Sequence, residues 1–542
     1  MNKKLFIILI IFSLFIGQSK QDIPVHCLQK QVLGIWDIDV TDSEEYSIQN
    51  FVRCGHQSPS VAGDSDDYEF IKLFTYQLEL KRDNSAVLYI DGEIYQGTFT
   101  MVFDEGFDAR FEDFDIFIEN KYQNIARNKY QSICSQTMIG WINYKQEEKI
   151  GCIKGQLKGA DHKPTESLNI DQIVTPSDFN LLEKYQDEQL SQLEQQNNKP
   201  LLVQQKKQGG NLKNNRMHNF LQIEQKEQKQ NEQQANNKKI HEQNVRKLNA
   251  MQTTWKAGIS PEFENLSLVE IRKRVGIDQY NKGSFAEQKK ELKGLNLIET
   301  SRYANLVYTL PTEFSWEEYL DETPQQGTCG SCYAIATTSM ITSRIKIKFQ
   351  DKDFKASTDF ALECNSYSQG CNGGFGYLVS KFFNEYGIID EKDYQTNEGS
   401  CGKIEGKVKY KVASYDYIGG FYGNSTEYLI MKEIMENGPV VLSLKVSGDL
   451  NYYKEGVYQS FGDFNIFQPK KKENSDNEDE IWKPLNHSVL CYGWGEENGN
   501  KYWLIQNSWG AEWGDNGNFK ILRGQNECNI ENMADFAEVV LI

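Results

Sequence analysis

Histidine is scarce in this chain. Its 542 residues hold six: His26, His56, His162, His218, His241 and His487. Past residue 310 a reaction that needs an imidazole has one candidate, His487. Positive charge is in deficit too: 59 Lys and Arg face 77 Asp and Glu, for a net charge of −18. A nucleic-acid binder needs a basic surface, so no nucleic-acid partner is expected. The sequence has a single CxxC, Cys329 with Cys332, and the next closest pair, Cys364 and Cys371, is seven apart. A structural zinc site normally takes a second ligand pair at similar spacing. Neither a metal nor an organic cofactor is expected. Long apolar runs are missing after Ile16, which leaves no membrane span in the mature protein.

The chain opens on MNKKLFIILIIFSLFIGQSKQD. Lys3 and Lys4 precede the apolar run Leu5 to Ile16, which is too short to cross a bilayer and has the flanks of a signal peptide. Residues 1–21 read as a leader, cut after Ser19 or after Gln21. The mature protein then belongs to the secretory pathway, either in a lysosome-like acidic compartment or outside the cell. Disulfides persist there, and 11 cysteines imply pairs with at least one left over.

Length predicts about three to four domains. Residues 22–159 read as β: Trp36, Ile38 and Val40 alternate with Asp37 and Asp39, and Asp91-Gly92 between two strand-like runs signals a hairpin. A small antiparallel barrel or sandwich is expected. Its four cysteines, Cys27, Cys54, Cys134 and Cys152, allow three pairings. From about Leu181 to Leu248 the chain is rich in Gln, Asn and Lys and nearly free of aromatics, which predicts a disordered or partly helical insert. Patchy helical periodicity follows to about Asn305. From residue 310 to 542 the composition is globular, with seven cysteines.

The chemistry concentrates in QQGTCGSCYAIATTSM, Gln325 to Met340. A thioredoxin-like βαβ context for a redox pair is absent. As a nucleophile, Cys332 would open a helix, whose N-terminus lowers a thiol pKa and favours the thiolate. Cys329 would then be tied elsewhere. A cysteine nucleophile needs a base, and His487 heads a strand-like run 155 residues later. Asn507, in IQNSWG, can hold the imidazole in its useful tautomer.

QGTCGSCY, GCNGGFGYL, LNHSVLCYGWG and NSWGAEWGDNGNFKILRG together resemble the papain-like cysteine proteases. The N-terminal segments DIPVHC, LGIWDIDV, TMIGWI and GCIKGQLKG, with LNAMQTTW at Leu248 to Trp255 and Tyr333 after the cysteine, are similar to the cathepsin C group, the dipeptidyl peptidases of that family. The likeness fails in the Gln/Asn-rich insert.

That resemblance implies an α+β fold. It comprises a two-lobed peptidase domain over 310–542, a helical lobe plus a β-barrel lobe, and an antiparallel β-barrel exclusion domain over 22–159. Between them, 160–309 would be a propeptide carrying the insert. Cys332 would be the nucleophile, His487 its base, Asn507 the residue orienting that base, and Gln326 an oxyanion donor together with the Cys332 N–H. Trp509 would shield the Asn507–His487 bond. Disulfides would join Cys329–Cys371, Cys364–Cys401, Cys27–Cys134 and Cys54–Cys152, leaving Cys332, Cys491 and Cys528 free, the last two as buried small hydrophobes. Asp22, as first mature residue, would hold the free N-terminus of a peptide or protein substrate, so that dipeptides are released. Phe375, Tyr377 and Tyr417 would bind a chloride ion, although Gly376 stands where the family has Pro. A homotetramer and an activating protease are implied, and the charged stretch Phe467 to Trp482 is a processing site or a solvated loop. The alternatives are a papain-like endopeptidase whose β domain is shed, and a catalytically inactive papain-fold binding protein.

Overall fold

The computed structural model describes residues 27–51, 54–55, 70–126, 129–159, 213–251, 254–267, 270–271, 310–397, 400–461 and 485–542. Asp22, the leader and the stretch 467–482 lie outside these described residues.

Nine strands fill the N-terminal region: β1 (Gly34–Glu45), β2 (Phe74–Leu80), β3 (Ser85–Ile90), β4 (Glu93–Val102), β5 (Gly106–Phe111), β6 (Phe114–Ala126), β7 (Lys129–Thr137), β8 (Gly140–Tyr144) and β9 (Lys149–Leu157). Eight of them close a ring, because β6 pairs with β8, β8 with β9 and β9 with β1, all antiparallel. The sequence pattern explains the inside: Trp36, Ile38 and Val40 are fully buried while Asp37 and Asp39 alternate outward. Asp91 and Gly92 both take positive φ, 50° and 89°, as a two-residue hairpin turn requires. The single helical turns α1 (Gln29–Val32) and α2 (Ile48–Phe51) flank β1. Disulfides Cys27–Cys134 and Cys54–Cys152 tie both turns' surroundings to the barrel.

The long helix α3 (Lys213–Met251) leads into β10 (Trp255–Ala257) and, further on, β11 (Phe314–Ser315). The helical lobe then packs α4 (Cys332–Phe349), α5 (Thr358–Glu363) and α6 (Gly376–Tyr386), with the small hairpin β12 (Tyr394–Asn397) and β13 (Ser400–Ile404). Disulfides Cys329–Cys371 and Cys364–Cys401 staple this lobe. After it come β14 (Tyr410–Tyr417), α7 (Glu427–Asn437), β15 (Val440–Leu444), β16 (Tyr453–Tyr458), β17 (His487–Glu497), β18 (Asn500–Gln506), β19 (Asn518–Leu522) and β20 (Met533–Leu541). These strands form one sheet, ordered β10-β16-β19-β18-β17-β15-β20-β14.

Two apolar cores result. One runs without a break from the barrel interior into the helical lobe; Phe51 of α2 packs edge-on to Tyr367 at 4.6 Å, and Trp141 of β8 meets the same ring at 4.9 Å. The other lies under the sheet and α7, and takes in Leu248, Trp255 and Phe263 from the segment before the peptidase domain. The seam between helical lobe and sheet is where α4 begins and β17 begins.

Candidate active site

Cys332 is the first residue of α4, after Ser331, whose side chain makes no capping hydrogen bond, and it is nearly buried, at 9 % exposure. Gly330 allows that placement: its N–H donates to Cys371 O at 2.9 Å, and a Cβ there would lie 2.7 Å from the same oxygen. Cys329 is bonded to Cys371, so Cys332 keeps a free thiol. The backbone N–H groups of Ser488, Tyr333 and Cys332 itself point at the sulfur. Cys491 is also free and buried, whereas Cys528 is only half-buried, short of the inert core position expected for it.

His487 opens β17, one residue from the Ser488 N–H that faces Cys332. Its Nε2 lies 2.7 Å from Asn507 Oδ1. The Ser508 N–H donates to that same Oδ1 at 2.9 Å, which identifies the atom as the carbonyl oxygen. Nε2 therefore carries the proton, and Nδ1 is left as a bare acceptor. Nδ1 is buried and has no hydrogen-bond partner among the described residues. Trp509, 2 % exposed, lies over the imidazole with ring centroids 5.1 Å apart and is backed by Trp513 at 4.9 Å.

Gln326 is held from both ends. Its N–H donates to Ser508 O at 2.9 Å, its Oε1 accepts from Ser508 Oγ, and its Nε2 donates to Cys329 O at 3.0 Å. Ser508, which no sequence motif singled out, thus orients the Gln326 amide. Only its place next to Asn507 could have drawn notice.

Burial works against both charges taken singly. It pushes the Cys332 thiol up, where the helix N-terminus alone predicted a lowered value, and pushes the His487 imidazole down to about 4 against the pull of Asn507. The reason is the dry seam: backbone N–H groups help the thiolate, yet less than desolvation hinders it.

A cleft runs past Cys332 and His487. Gly373, Gly374 and Phe375 line one wall, and Ser443, Leu485 and Met533 the other. Asn486 lines it too, with its Oδ1 accepting from the Val446 N–H at 2.8 Å. Part of the cleft's lining comes from another part of the chain. Phe103, in the β4–β5 turn of the barrel, lines it, with its ring 5.5 Å from Phe375 and 5.9 Å from Tyr422. Phe103 takes φ 52°, a backbone state uncommon for an aromatic residue. The Cys27 N–H donates to Asp104 O at 2.7 Å, which fixes the start of the described chain beside this turn. Composition and motif reading had no means to find Phe103, because its role depends on where the barrel docks.

Phe375, Tyr377 and Tyr417 come together behind the cleft. Phe375 caps α6, and Tyr377 stacks on Tyr417 at 4.8 Å with its hydroxyl donating to Asp108 Oδ2 at 2.7 Å. Among the described residues no cluster of His, Cys, Asp or Glu is placed to hold a metal ion, and no helix is long and apolar enough to cross a membrane.

Comparison with known proteins agrees with this geometry. Residues 310–538 match the family described as papain family cysteine protease, and residues 22–157 match the cathepsin C exclusion domain. The chain is similar to a cathepsin C of Schistosoma mansoni, 33 % identical over 309 residues, covering 53 % of this chain and 63 % of that protein. It is also similar to dipeptidyl aminopeptidase 1 of Plasmodium falciparum (isolate 3D7), 30 % identical over 312 residues, covering 42 % and 44 %. Both matches span less than two thirds of the relative's own length. Among solved structures, digestive procathepsin L 3 of the Tenebrio molitor larval midgut aligns at 20 % identity and TM-score 0.42, over 57 % of this chain and 91 % of that one. The chain carries a papain-family cysteine protease domain at residues 310–538, joined to a cathepsin C exclusion domain at residues 22–157.

Proposed function

We propose that this protein is a cysteine exopeptidase that removes dipeptides from the free N-termini of peptides and proteins. One observation carries the reading: a turn of the N-terminal barrel, through Phe103, lines the cleft that holds Cys332 and His487, and we read that turn as the cleft's closed end. A substrate can then extend only a short way past Cys332 on that side. Cys27 is tied to Asp104 in the same turn. The five residues from Asp22 to Cys27 span at most about 17 Å, so the Asp22 carboxylate is within reach of the closed end. An ammonium buried there would need such a partner.

In this mechanism the proton of Cys332 moves to the bare Nδ1 of His487. Burial disfavours each charge alone, but a thiolate beside an imidazolium is a pair, and each supplies the other's counter-charge. The thiolate attacks the substrate carbonyl. Gln326 Nε2 and the Cys332 N–H stabilise the oxyanion. Imidazolium gives its proton to the leaving amine, and water, deprotonated by the same nitrogen, frees the dipeptide. Asn507 keeps Nε2 protonated throughout.

The test compares a peptide with a free N-terminus and its N-acetylated twin. Mature enzyme should release dipeptides from the first and leave the second intact. Equal cleavage of both would overturn the exopeptidase reading in favour of an endopeptidase. No labelling of Cys332 by an epoxide-type thiol inhibitor would point to an inactive binding protein.

A further inference from the structure

Asp535 takes no part in the chemistry above, yet it is buried beside the cleft at 1 % exposure. In the β14–β20 pairing it stands directly opposite Tyr417, and directly opposed residues share a face of the sheet. Tyr417 is equally buried, and its hydroxyl has no hydrogen-bond partner among the described residues. Both Asp535 oxygens are buried and likewise lack a close partner, while the Tyr377 N–H faces them at longer range. That N–H belongs to the first turn of α6, an eleven-residue helix whose N-cap, Phe375, has no side-chain acceptor to offer. Unpaired donors and the positive end of the helix dipole therefore meet an acid supplied by another strand. Gly376 makes the room: a Cβ there would lie 2.7 Å from Asp535 Oδ2.

Phe375, Tyr377 and Tyr417 are the residues at which the family resemblance implies chloride. The ion does not fit beside Asp535. The carboxyl already stands between Tyr417 and the α6 N-terminus and occupies the space an ion would need; where it is ionised, a second anion in so dry a place would also face it almost unscreened. Burial, with Asp416 nearby, raises Asp535 to about 8. Below that pH it is a neutral acid, but its bulk fills the place all the same. Met533, two residues earlier on the same face of β20, lines the cleft, as does Phe375. The acid thus stands directly behind the cleft wall.

We propose that Asp535 is a built-in replacement for a bound chloride, so that this chain caps α6 and supports its cleft without the ion. The idea leans on the peptidase reading for its activity readout only. The full chain is dialysed into chloride-free acetate and titrated with sodium chloride at constant ionic strength. Thermal midpoint and hydrolysis of whichever substrate is cut, blocked or unblocked, are followed together. Neither should change up to about 100 mM chloride, because a ligand that does not bind cannot shift the midpoint. Asp535→Ala empties the place: its midpoint should fall in acetate and climb with chloride. Asp535→Asn keeps the shape and should stay insensitive. A wild-type protein that loses midpoint or rate in acetate and regains it with chloride overturns the proposal, with no variant needed. So does an Asp535→Ala protein that matches the wild type under both conditions. If no substrate is cut, the peptidase reading fails while the midpoint titration still decides this one.

Discussion

At the scale of single residues, the reactive group is defined by which atoms are left without partners. His487 Nδ1 is bare because Asn507 Oδ1 holds the other nitrogen, and Asn507 is itself oriented by the Ser508 N–H. Removing the thiol isolates what burial does to the imidazole. In Cys332→Ala, His487 should titrate near 4 by NMR instead of at the ordinary 6.5. An unfolded chain takes up that proton between 6.5 and 4 and the folded one does not, so the variant's stability should fall by about 3 kcal/mol as pH drops through this window. A titration at or above 6.5 would show that His487 is not desolvated as the fold implies. Gln326→Ala should lower kcat by about 10² to 10³-fold with KM little changed, measured on the same unblocked peptide. Cys332, His487 and Asn507 drew notice as candidates in the sequence because nucleophilic catalysis admits few residue types and His487 had no rival after residue 310, whereas Gln326 entered only through the family resemblance. Ser508, Phe103 and Asp535 were not legible in the sequence. Each is a common residue whose effect depends on a neighbour far along the chain, as Phe103 depends on Phe375.

At the scale of elements, α3 is the helical part that the reading of the insert allowed for, while its docking face is not visible in composition. The insert was read as disordered or partly helical for want of apolar residues. Among the described side chains of α3, over 230–251, the buried positions are Asn237, His241, Asn244 and Leu248, spaced as one face of a helix, but three of the four are polar. They are buried because they are bonded. His241 Nδ1 meets Tyr452 Oη at 2.9 Å, its Nε2 meets Leu266 O, and Asn244 Nδ2 donates to Tyr452 Oη at 2.9 Å. The next element, β10, adds Trp255 to the edge of β16, with its indole N–H donating to Gln459 O at 3.0 Å. Hydropathy cannot see such a face, whereas the Asp91-Gly92 hairpin was plain because turn chemistry is local. Burial holds the His241 pKa below its ordinary 6.5. Protonation then favours the undocked segment, and docking should weaken as pH falls below 6.5. Limited proteolysis within 213–271 should be faster at pH 5 than at pH 7.5 in the wild type, and His241→Asn should flatten that ratio. An equal rate at both pH values in the wild type would remove His241 as the cause.

At the scale of the whole molecule, the barrel matters only while it stays seated on the helical lobe. The apolar part of that seat is the continuous core through Phe51, Trp141 and Tyr367. The polar part is a buried cluster that no motif announces. Asp108 of β5 lies 3.1 Å from Lys381 Nζ on α6, Lys381 reaches Glu385 at 3.2 Å, and Arg110 reaches Asp416 at 2.8 Å. Asn143 of β8 donates to Glu385 Oε1 at 2.8 Å. Burial alone would strip Lys381 of its proton, but Asp108 and the acids around it hold its pKa well above the ordinary value. Deleting one partner leaves the others charged in a dry interface, which costs about 3 to 5 kcal/mol. Asp108→Ala should therefore loosen the barrel more than it loosens either lobe's own core. Tyr377, whose hydroxyl donates to Asp108 at 2.7 Å, would lose its acceptor at the same time. With the barrel displaced, Phe103 leaves the cleft while Cys332, His487 and Asn507 stay in place. If the proposed function holds, the variant should then cut the N-acetylated peptide that the wild type is expected to leave intact, at a rate that rises as the barrel separates on size-exclusion chromatography. A barrel that dissociates without any gain against blocked peptides would mean that something other than Phe103 closes the cleft.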